Sequence, residues 1–414
     1  MARLKGFQKL TSVDEALHKF LNSVEIKKPK TVPLPLDRGL NRILAETITA
    51  SDDLPRVDRS AVDGYAVRAE DTFGASQFKP KILTLTEHPT IKAKLAKQLW
   101  TGNPLPEGAN AVVMLENTKH IEGKIEVWTP LTPSENVSKK GEDIREGDVA
   151  AEAGIRLRPH QLGLIAALGK NEVQVFEEPK IAILSTGNEI MEIGSEKQES
   201  QIFDTNKHTI SALCQELGAR PVDLGIAKDD FRDIIEKLRR GLEADAIIST
   251  GGTSVGGPDL MPEAINQVGK PGVIVHGIAM RPALPTALAI VNGKPVMIFS
   301  GNPVAAMIAF EVFARPVICK MLGLNREEPR PTLKARMTRR ITTALGRRTF
   351  VRVHVLQEKG ELLAEPMSAK GSSLISTMTK SNGYTIAPEN REGLEEGEIV
   401  TVHLFDTIEV CRNV

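Results

Sequence analysis

The stretch Lys180-Ile-Ala-Ile-Leu-Ser-Thr-Gly187 decides the fold. An unbroken apolar run that closes on Thr-Gly is typical of a strand buried on both faces of a parallel sheet. Ala246-Ile-Ile-Ser-Thr-Gly-Gly252 has the same form, and so does Val296 to Gly301. Asn292-Gly293, between the strands Thr286 to Val291 and Val296 to Phe299, predicts a hairpin. Amphipathic helices are predicted between these strands, at Thr205 to Leu217 and from Phe231 to Leu242. Strands that alternate with helices predict an open, mostly parallel α/β sheet.

The sequence on either side of this section predicts further helices and two β-rich regions. Apolar spacing with Ser12 as N-cap predicts a helix at Val13 to Leu21, and Gly169 ends a second one predicted at His160 to Leu168. Further helices are predicted from Asn41 and at Val304 to Leu322. Residues 54 to 154 are short alternating runs broken by glycine, proline and asparagine, which predict strands. Short strands return after residue 326 and predict a small all-β domain.

The composition argues against several classes of protein. The 414 residues include 53 lysines and arginines and 53 aspartates and glutamates, so no overall field favours nucleic acid or an anionic membrane. The three cysteines are far apart and form no CxxC pair, which argues against a zinc site or a disulfide framework. No apolar leader and no run of about 18 apolar residues occurs, so we expect a cytoplasmic protein without a membrane span.

Three predicted strands end in small hydroxyl residues and glycine. The segments are Ser185-Thr-Gly-Asn-Glu189, Ser249-Thr-Gly-Gly-Thr-Ser-Val-Gly256 and Ser300-Gly-Asn-Pro303. In open α/β sheets, ligands bind at the carboxyl ends of the strands. Glycine lets the backbone approach an oxyanion, and amides of turns and helix starts can donate to it. One such turn is more often an ordinary βα turn, but three together predict an anion site.

Carboxylates among the glycine turns are the second signal. Asp63, Asp143, Glu189 and Asp259 have no obvious capping role, whereas Asp229 and Asp230 open a helix, where aspartate is also a favoured N-cap. Such residues suit Mg²⁺, which takes one or two carboxylates together with waters and phosphate oxygens. No HExxH, GxSxG or P-loop motif is present, so a histidine metal site and a serine nucleophile have no local support.

At this point the order of the motifs resembles a known family. The motifs are Ser60-Ala-Val-Asp-Gly-Tyr-Ala-Val-Arg68, Thr101-Gly-Asn-Pro-Leu-Pro-Glu-Gly108, Ala111-Val-Val-Met114, Gly141-Glu-Asp-Ile144, Ser185-Thr-Gly-Asn-Glu189, Asp204-Thr-Asn206, Ser249-Thr-Gly-Gly-Thr-Ser-Val-Gly256 with Asp259, Gly301-Asn-Pro303 and Gly393-Leu-Glu-Glu-Gly397. In this order and spacing they are similar to those of the molybdopterin molybdenumtransferases, which include the E domain of gephyrin. The resemblance covers essentially the whole chain.

The resemblance implies four domains and a homodimer. Residues 1–25 and 178–326 would form an α/β domain resembling the molybdopterin adenylyltransferase fold, and residues 26–47 and 147–177 a connecting domain. Residues 48–146 would be β-rich, and residues 327–414 β-barrel-like. The active cleft would lie between the α/β and fourth domains, and the second domain of the partner subunit would complete it with Asp63.

The resemblance also implies the reaction and its residues. Molybdate or tungstate would be inserted into adenylylated molybdopterin with Mg²⁺ and release of AMP, and a molybdopterin adenylyltransferase is a candidate partner. The implied catalytic residues are Asp63, Asp143, Asp259 and Arg281, and the implied metal ligands are Glu189, Asp229, Asp259 and Asp63. The implied cofactor-binding residues are Ser249, Gly251, Gly252, Ser254, Gly256, Ser300, Gly301, Asn302, Pro303 and Arg347.

One loop departs from the family, and two alternative functions stay open. Many members have Met-Lys-Pro-Gly-Lys-Pro where this chain has Met280-Arg-Pro-Ala-Leu-Pro285. Arg281 keeps the positive charge, but a planar guanidinium is not a compact ammonium, and Ala283 restricts the backbone more than glycine would. The alternatives are a non-enzymatic, gephyrin-like scaffold and a Mg²⁺-dependent nucleotide pyrophosphohydrolase.

Overall fold

The computed structural model describes residues 10–196, 199–252, 260–367 and 372–410. Contacts divide the chain into two compact units, residues 33–175 and residues 1–32 together with 176–414. The four-domain division of the sequence analysis stays a prediction.

The helices and strands are numbered in chain order. The helices are α1 (Val13–Ser23), α2 (Pro159–Ala167), α3 (Thr205–Leu217), α4 (Phe231–Gly241), α5 (Leu260–Val268), α6 (Pro303–Ala309), α7 (Arg315–Met321) and α8 (Ser376–Thr379). The strands before residue 180 are β1 (Thr31–Pro35), β2 (Ile48–Thr49), β3 (Arg59–Ser60), β4 (Gly64–Val67), β5 (Lys81–Leu85), β6 (Leu95–Leu99), β7 (Ala111–Met114), β8 (Thr118–Ile121), β9 (Lys124–Val127), β10 (Val137–Ser138), β11 (Val149–Ala151) and β12 (Glu172–Phe176). Those between residues 180 and 300 are β13 (Lys180–Thr186), β14 (Ile190–Met191), β15 (Ile202–Phe203), β16 (Arg220–Ala227), β17 (Ala246–Thr250), β18 (Pro271–His276), β19 (Met280–Arg281), β20 (Ala287–Val291) and β21 (Lys294–Phe299). The remaining strands are β22 (Thr332–Met337), β23 (Ile341–Thr342), β24 (Arg348–Glu358), β25 (Glu361–Pro366), β26 (Gly383–Ala387), β27 (Gly393–Leu394), β28 (Ile399–Leu404) and β29 (Glu409–Val410).

The unit of residues 33–175 is built around a six-stranded sheet. Its order is β7-β4-β6-β5-β9-β8, and only the β5–β6 pairing is parallel. Val67, Ala96, Val113 and Ile125 are fully buried in the core on one face of this sheet. The predicted β-rich region is therefore confirmed.

The helix predicted from Asn41 is wrong. Asn41 has a φ of 65°, a left-handed conformation that asparagine tolerates and that does not continue into a helix. The two apolar residues that follow are extended: Ile43 forms an antiparallel bridge with Arg156, and Leu44 forms one with Val175. Both side chains are buried by these pairings. Long-range strand pairing therefore overrides the local helical spacing.

The second unit contains the predicted α/β sheet. Its order is β16-β13-β17-β21-β20-β18, with the first three pairings parallel and the last two antiparallel. Asn292 and Gly293 join β20 to β21 with φ values of 52° and 81°, as a type I′ hairpin turn requires. The mostly parallel sheet and its hairpin are confirmed.

Side-chain caps fix where two of the predicted helices begin. Ser12 accepts a hydrogen bond from the Glu15 amide at the start of α1, and Asp204 accepts one from the Lys207 amide at the start of α3. Each such cap typically contributes about 1 kcal/mol. Gly218 ends α3 with a φ of 92°, a conformation that costs glycine little.

The predicted long helix at Val304 to Leu322 is continuous but not uniform. Between α6 and α7 the chain makes a π-helical turn at Phe310–Ala314. Pro316 follows directly, and because proline has no backbone N–H it cannot complete the ordinary α-helical hydrogen bond. The wide turn accommodates this loss and gives Glu311 a place inside the fold.

The C-terminal strands form a closed barrel. The pairings run β24-β25-β22-β28-β26 and return from β26 to β24. Val353, Val355, Ala364 and Val402 are fully buried in its interior. The short strand β19 pairs in parallel with β24, so the loop between β18 and β20 of the α/β sheet is attached to the rim of the barrel.

Candidate active site

The three glycine turns meet at the carboxyl edge of the parallel strands. The Gly251 amide donates to the Phe299 carbonyl at 2.9 Å, and the hydroxyls of Ser185 and Thr250 lie 3.4 Å apart. β13, β17 and β21 are neighbours in the sheet, so their turns are brought side by side. The edge predicted to bind a ligand is therefore continuous across three strands.

Gly251 is the position where a side chain cannot be accommodated. Its φ is 93°, and an added Cβ would lie 2.4 Å from the Thr186 carbonyl oxygen. Glycine here permits the close approach of two turns. The Gly251 amide is already used within the protein, so Gly251 shapes the edge but does not offer that donor to a ligand.

The third turn is held from behind by α3. The Asn206 side-chain amide donates to the Gly301 carbonyl at 2.7 Å, and the Asn302 amide approaches the Ser300 hydroxyl at 3.3 Å. Pro303 begins α6, where its missing N–H leaves no additional unpaired donor. These contacts fix Ser300, Gly301, Asn302 and Pro303 as one rigid turn.

The structure gives the other predicted cradle residues different positions. Ser249 is 0% exposed inside the sheet, so its hydroxyl does not reach a ligand at the edge. Gly252 follows Gly251 with a φ of 68° and lies against Thr186 and Met261. Ser254, Gly256 and Asp259 lie outside the described residues.

A cleft of about 640 Å³ lies between this edge and the barrel. Three arginines and five hydroxyl or amide side chains line it: Arg281, Arg347, Arg352, Ser300, Asn302, Thr349, Ser372 and Ser373. Four predicted residues, Arg281, Arg347, Ser300 and Asn302, are thereby brought together. Among the described residues, no carboxylate lines the cleft, so this lining is suited to an anion.

Arg352 is a cleft residue that the sequence analysis did not single out. It is only 3% exposed in the wall formed by β24, and burial lowers the pKa of its guanidinium. An arginine keeps its charge in a protein even so. The sequence feature that could have identified Arg352 is a single charged residue within the apolar run Phe350-Val-Arg-Val353. Such a residue, flanked by buried neighbours, indicates a buried cation.

The loop that departs from the family forms one side of the cleft. Ala283 has a φ of 79°, in the left-handed region that glycine adopts easily and alanine does not. The Thr286 hydroxyl donates to the Ala283 carbonyl at 2.8 Å, and the Ile278 amide donates to the Leu284 carbonyl at 2.9 Å. The loop therefore keeps a glycine-like conformation without glycine.

Ala283→Gly is expected to change the free energy of unfolding by less than about 1 kcal/mol. Glycine relieves about 1–2 kcal/mol of left-handed strain, but it loses about 0.8 kcal/mol of methyl burial and about 0.4–1 kcal/mol through the more flexible unfolded chain. Ala364→Gly, at a fully buried position of β25, is the control and should cost about 1.5 kcal/mol. Urea unfolding measures the free energy of unfolding of both variants. If the two substitutions lower it equally, Ala283 is not strained.

Glu189 and Asp229 lie on either side of Asn188. The Asn188 amide approaches the Asp229 carboxylate at 3.3 Å, and the Asp229 amide approaches the Asn188 side-chain oxygen at 3.2 Å. The Glu189 carboxylate folds back over Gly187, where an added Cβ would lie 2.8 Å from its oxygens. Both carboxylates are exposed. Asp230, by contrast, caps α4 by accepting from the Arg232 and Asp233 amides.

Asp63 and Asp143 belong to the unit of residues 33–175. Asp63 is exposed, and one of its oxygens accepts 2.7 Å hydrogen bonds from both the amide and the hydroxyl of Thr101. These bonds, the backbone one foremost, hold the pKa of Asp63 below its ordinary value. Asp143 is also exposed, and its amide donates to the Leu54 carbonyl at 3.0 Å.

Among the described residues, no three histidine, cysteine or acidic side chains lie close enough together to hold a metal ion by themselves. Mg²⁺ needs only one or two protein carboxylates when phosphate oxygens and water supply the other ligands. The exposed, oxygen-only pair of Glu189 and Asp229 fits that requirement.

Three family models match the chain in order. The MoeA N-terminal region (domain I and II) matches residues 11–169, and the domain described as a "probable molybdopterin binding domain" matches residues 182–320. The MoeA C-terminal region (domain IV) matches residues 334–405. Together these matches include both the glycine turns and the barrel wall of the cleft.

Curated proteins and solved structures resemble the chain over nearly its whole length. The molybdopterin molybdenumtransferase of Haemophilus influenzae is 32% identical, with 96% of this chain and 99% of that protein covered. A crystal structure of a molybdopterin biosynthesis MoeA protein from Pyrococcus horikoshii is 32% identical with a TM-score of 0.81. It covers 96% of this chain and 100% of its own. In the described part of the chain, no helix has the length and apolar character to span a membrane.

Proposed function

The chain belongs to the MoeA family of molybdopterin molybdenumtransferases, transferases of molybdenum cofactor biosynthesis, and we propose that it inserts molybdate into adenylylated molybdopterin with release of AMP. The observation that carries the proposal is the cleft in which three arginines face the rigid Ser300–Asn302 turn. Molybdate and a pyrophosphate are both anions, and the lining residues that the structure describes are cations, neutral donors and apolar groups, with no carboxylate among them.

We assign the oxyanion to the cleft itself. Arg281 is exposed at the loop, Arg347 is exposed at the barrel rim, and Arg352 is fixed in the wall. A guanidinium can donate two parallel hydrogen bonds to an oxyanion, and Ser300 and Asn302 add neutral donors. Because Arg352 is already buried and packed, it would lose little side-chain freedom when the anion binds.

The glycine edge is the proposed place for the pyrophosphate and nucleotide. Gly251 and Gly252 keep the backbone free of side chains where β17 ends, and Thr186 lies against both. Ser254, Gly256 and Asp259, which lie outside the described residues, follow Gly252 in the sequence and complete the proposed set. Ser249 is proposed to act indirectly: it is buried in β17 and holds the residues that follow the strand in place.

Glu189 and Asp229 are the residues in this unit that would hold Mg²⁺, with Asp259 as a further candidate. Mg²⁺ supplies charge neutralisation at phosphate oxygens when it is bound. Asn188 donates to Asp229 and so orients its carboxylate, while Gly187 leaves room for that of Glu189. Asp63 and Asp143 are proposed to act in the same reaction, with Asp63 brought to the cleft by the second domain of the partner subunit, as the family resemblance implies. The hydrogen bonds from Thr101 lower the pKa of Asp63 and favour its ionised form.

No protein nucleophile is needed for this reaction. Breaking a phosphoanhydride depends mainly on positioning and on stabilising the charge that develops on the oxygens. In the described chain, arginine side chains and the donors of a rigid turn surround the cleft, which is what such catalysis requires.

The proposal is tested by AMP release from adenylylated molybdopterin with Mg²⁺, comparing molybdate, tungstate and no oxyanion. We expect oxyanion-stimulated release, and the more effective oxyanion identifies the metal. Equal release without oxyanion, or from simple dinucleotides, would instead indicate a nucleotide pyrophosphohydrolase. Absence of release from folded protein would favour the scaffold.

The homodimer and the adenylyltransferase partner are also proposals and rest on the family resemblance. Sedimentation of the full chain tests whether it forms a homodimer. Retention of a molybdopterin adenylyltransferase on the immobilised chain, with and without adenylylated molybdopterin, tests the partner.

A further inference from the structure

We propose that Arg348 is a positioning residue that sets the geometry of the oxyanion cleft through a clamp with Asp14 and Glu389. The inference rests on the proposed function, because it concerns how that same cleft is held in shape. Arg348 is not among the residues that line the cleft, so it is argued to act through its neighbours and not by direct contact with the anion.

The clamp joins three separate segments at one guanidinium. Its two terminal nitrogens donate to the two oxygens of Asp14, both at 2.7 Å, and its Nε lies 2.9 Å from Glu389. Asp14 lies in the first turn of α1, and Glu389 follows β26. The hydrogen bond from Arg348 holds the pKa of Asp14 below its ordinary value. This two-pronged geometry specifies orientation as well as distance.

The position of Arg348 in β24 connects the clamp to the cleft. Arg347 and Thr349, the two neighbours of Arg348 in the sequence, both line the cleft, whereas the Arg348 guanidinium reaches Asp14. The parallel pairing with β19 places Met280 beside Arg348 and Arg281 beside Thr349. Arg281 and Arg347 are thus attached to the same short stretch of backbone.

The α1 end of the clamp is tied to the same loop. The Thr11 amide donates to the Gly277 carbonyl at 3.1 Å, and the Ala279 amide donates to the Thr11 carbonyl at 2.8 Å. The Arg348 amide donates to the Ala279 carbonyl at 2.9 Å. Residues 277–281 are therefore bracketed by the two segments that the Arg348–Asp14 pair joins.

The exposure of Asp14 separates positioning from stability. The Asp14 side chain is 76% exposed, so the pair is too solvated to contribute much to the stability of the fold. Its removal should therefore leave a folded protein in which the two cleft arginines are less well placed. A small displacement of binding groups is enough to alter ligand affinity measurably.

The test compares Arg348→Gln, Asp14→Asn and the double variant of the full chain with wild type. Calorimetry with sodium molybdate gives the dissociation constant for molybdate. The rate of AMP release at increasing molybdate concentration gives KM for molybdate and kcat. For Arg348→Gln we expect both the dissociation constant and KM to rise about tenfold while kcat changes less than about twofold. Because the two residues act through one pair, the double variant should resemble Arg348→Gln alone.

Arg391→Gln is the matched control. Arg391 makes a similar two-pronged pair with Glu398 in the same barrel, at 2.6 and 2.8 Å, but lies outside the cleft lining. Its removal should leave molybdate binding unchanged. Wild-type affinity in Arg348→Gln, or an equal loss in Arg391→Gln, would overturn the positioning role.

The two readouts separate this inference from the proposed function. If wild type binds molybdate but releases no AMP in response to it, the proposed reaction fails and the clamp is still judged by the dissociation constants. If wild type binds no molybdate, both the oxyanion cleft and its clamp are overturned.

Discussion

Arg281→Ala is expected to lower kcat/KM for oxyanion-dependent AMP release by about two orders of magnitude. Removal of one preorganised charge contact from a reacting anion typically costs about 3 kcal/mol. Arg281 is exposed at the cleft, and its place in the fold is held by the backbone pairing of β19 with β24. The loss should therefore appear in activity, with little change in the free energy of unfolding.

Two further variants make this result specific. Arg281→Lys restores the residue that many family members have, keeps the charge, and should retain activity within about tenfold of wild type. Arg340→Ala is the control, because Arg340 is another exposed arginine of the C-terminal region. It lies outside the cleft lining and pairs with Glu395 at 3.3 Å. Its substitution should have no effect on kcat/KM. Near-wild-type activity of Arg281→Ala would remove Arg281 from the site.

The features that the sequence predicted correctly are those encoded by local patterns. The buried run from Lys180 and the hydroxyl–glycine endings placed three strands and their turns, because parallel strands all present their carboxyl ends at one edge. The Asn292-Gly293 pair likewise predicted the hairpin from turn chemistry alone. Caps at Ser12 and Asp204 begin helices that the apolar spacing had located.

The features that were missed depend on contacts between distant residues. The Arg348–Asp14 pair joins positions 334 residues apart, and no local pattern relates the two. Arg352 became part of the site only because β24 closes the barrel beside the cleft. The helix expected from Asn41 failed for the same reason, since Leu44 pairs with Val175 far along the chain. Whether each carboxylate acts in catalysis stays a prediction.

The second large effect is expected at Arg330, on stability. Its guanidinium makes a two-pronged pair with Glu311, at 2.7 and 3.1 Å, and reaches Glu216 at 2.5 Å. The side chains of Arg330 and Glu311 are only 10% and 9% exposed. Burial opposes the charge of Arg330, but the hydrogen bonds to Glu311 and Glu216 outweigh it and raise its pKa.

Arg330→Ala should lower the free energy of unfolding by about 3–5 kcal/mol, because it leaves the Glu311 carboxylate buried without its cation. The exposed control pair is removed by Arg391→Ala, which should leave the free energy of unfolding nearly unchanged because the Arg391 side chain is 41% exposed. Urea unfolding followed by circular dichroism measures both.

The π-helical turn makes the Arg330 result more than a test of one ion pair. Arg330 lies just before β22, the first barrel strand, and Glu311 lies in the turn that interrupts the closing helix of the α/β segment. The pair therefore ties the start of the barrel to that helix. If the loss comes from an unpaired buried charge, Glu311→Leu in an Arg330→Met background should recover most of it, because well-packed apolar residues can replace a buried ion pair. Arg330→Met alone keeps an apolar stem but leaves the Glu311 carboxylate unpaired, so it should stay far less stable than the double variant. If Arg330→Met alone recovers the loss, the cause is the packing of the arginine stem and not the buried carboxylate.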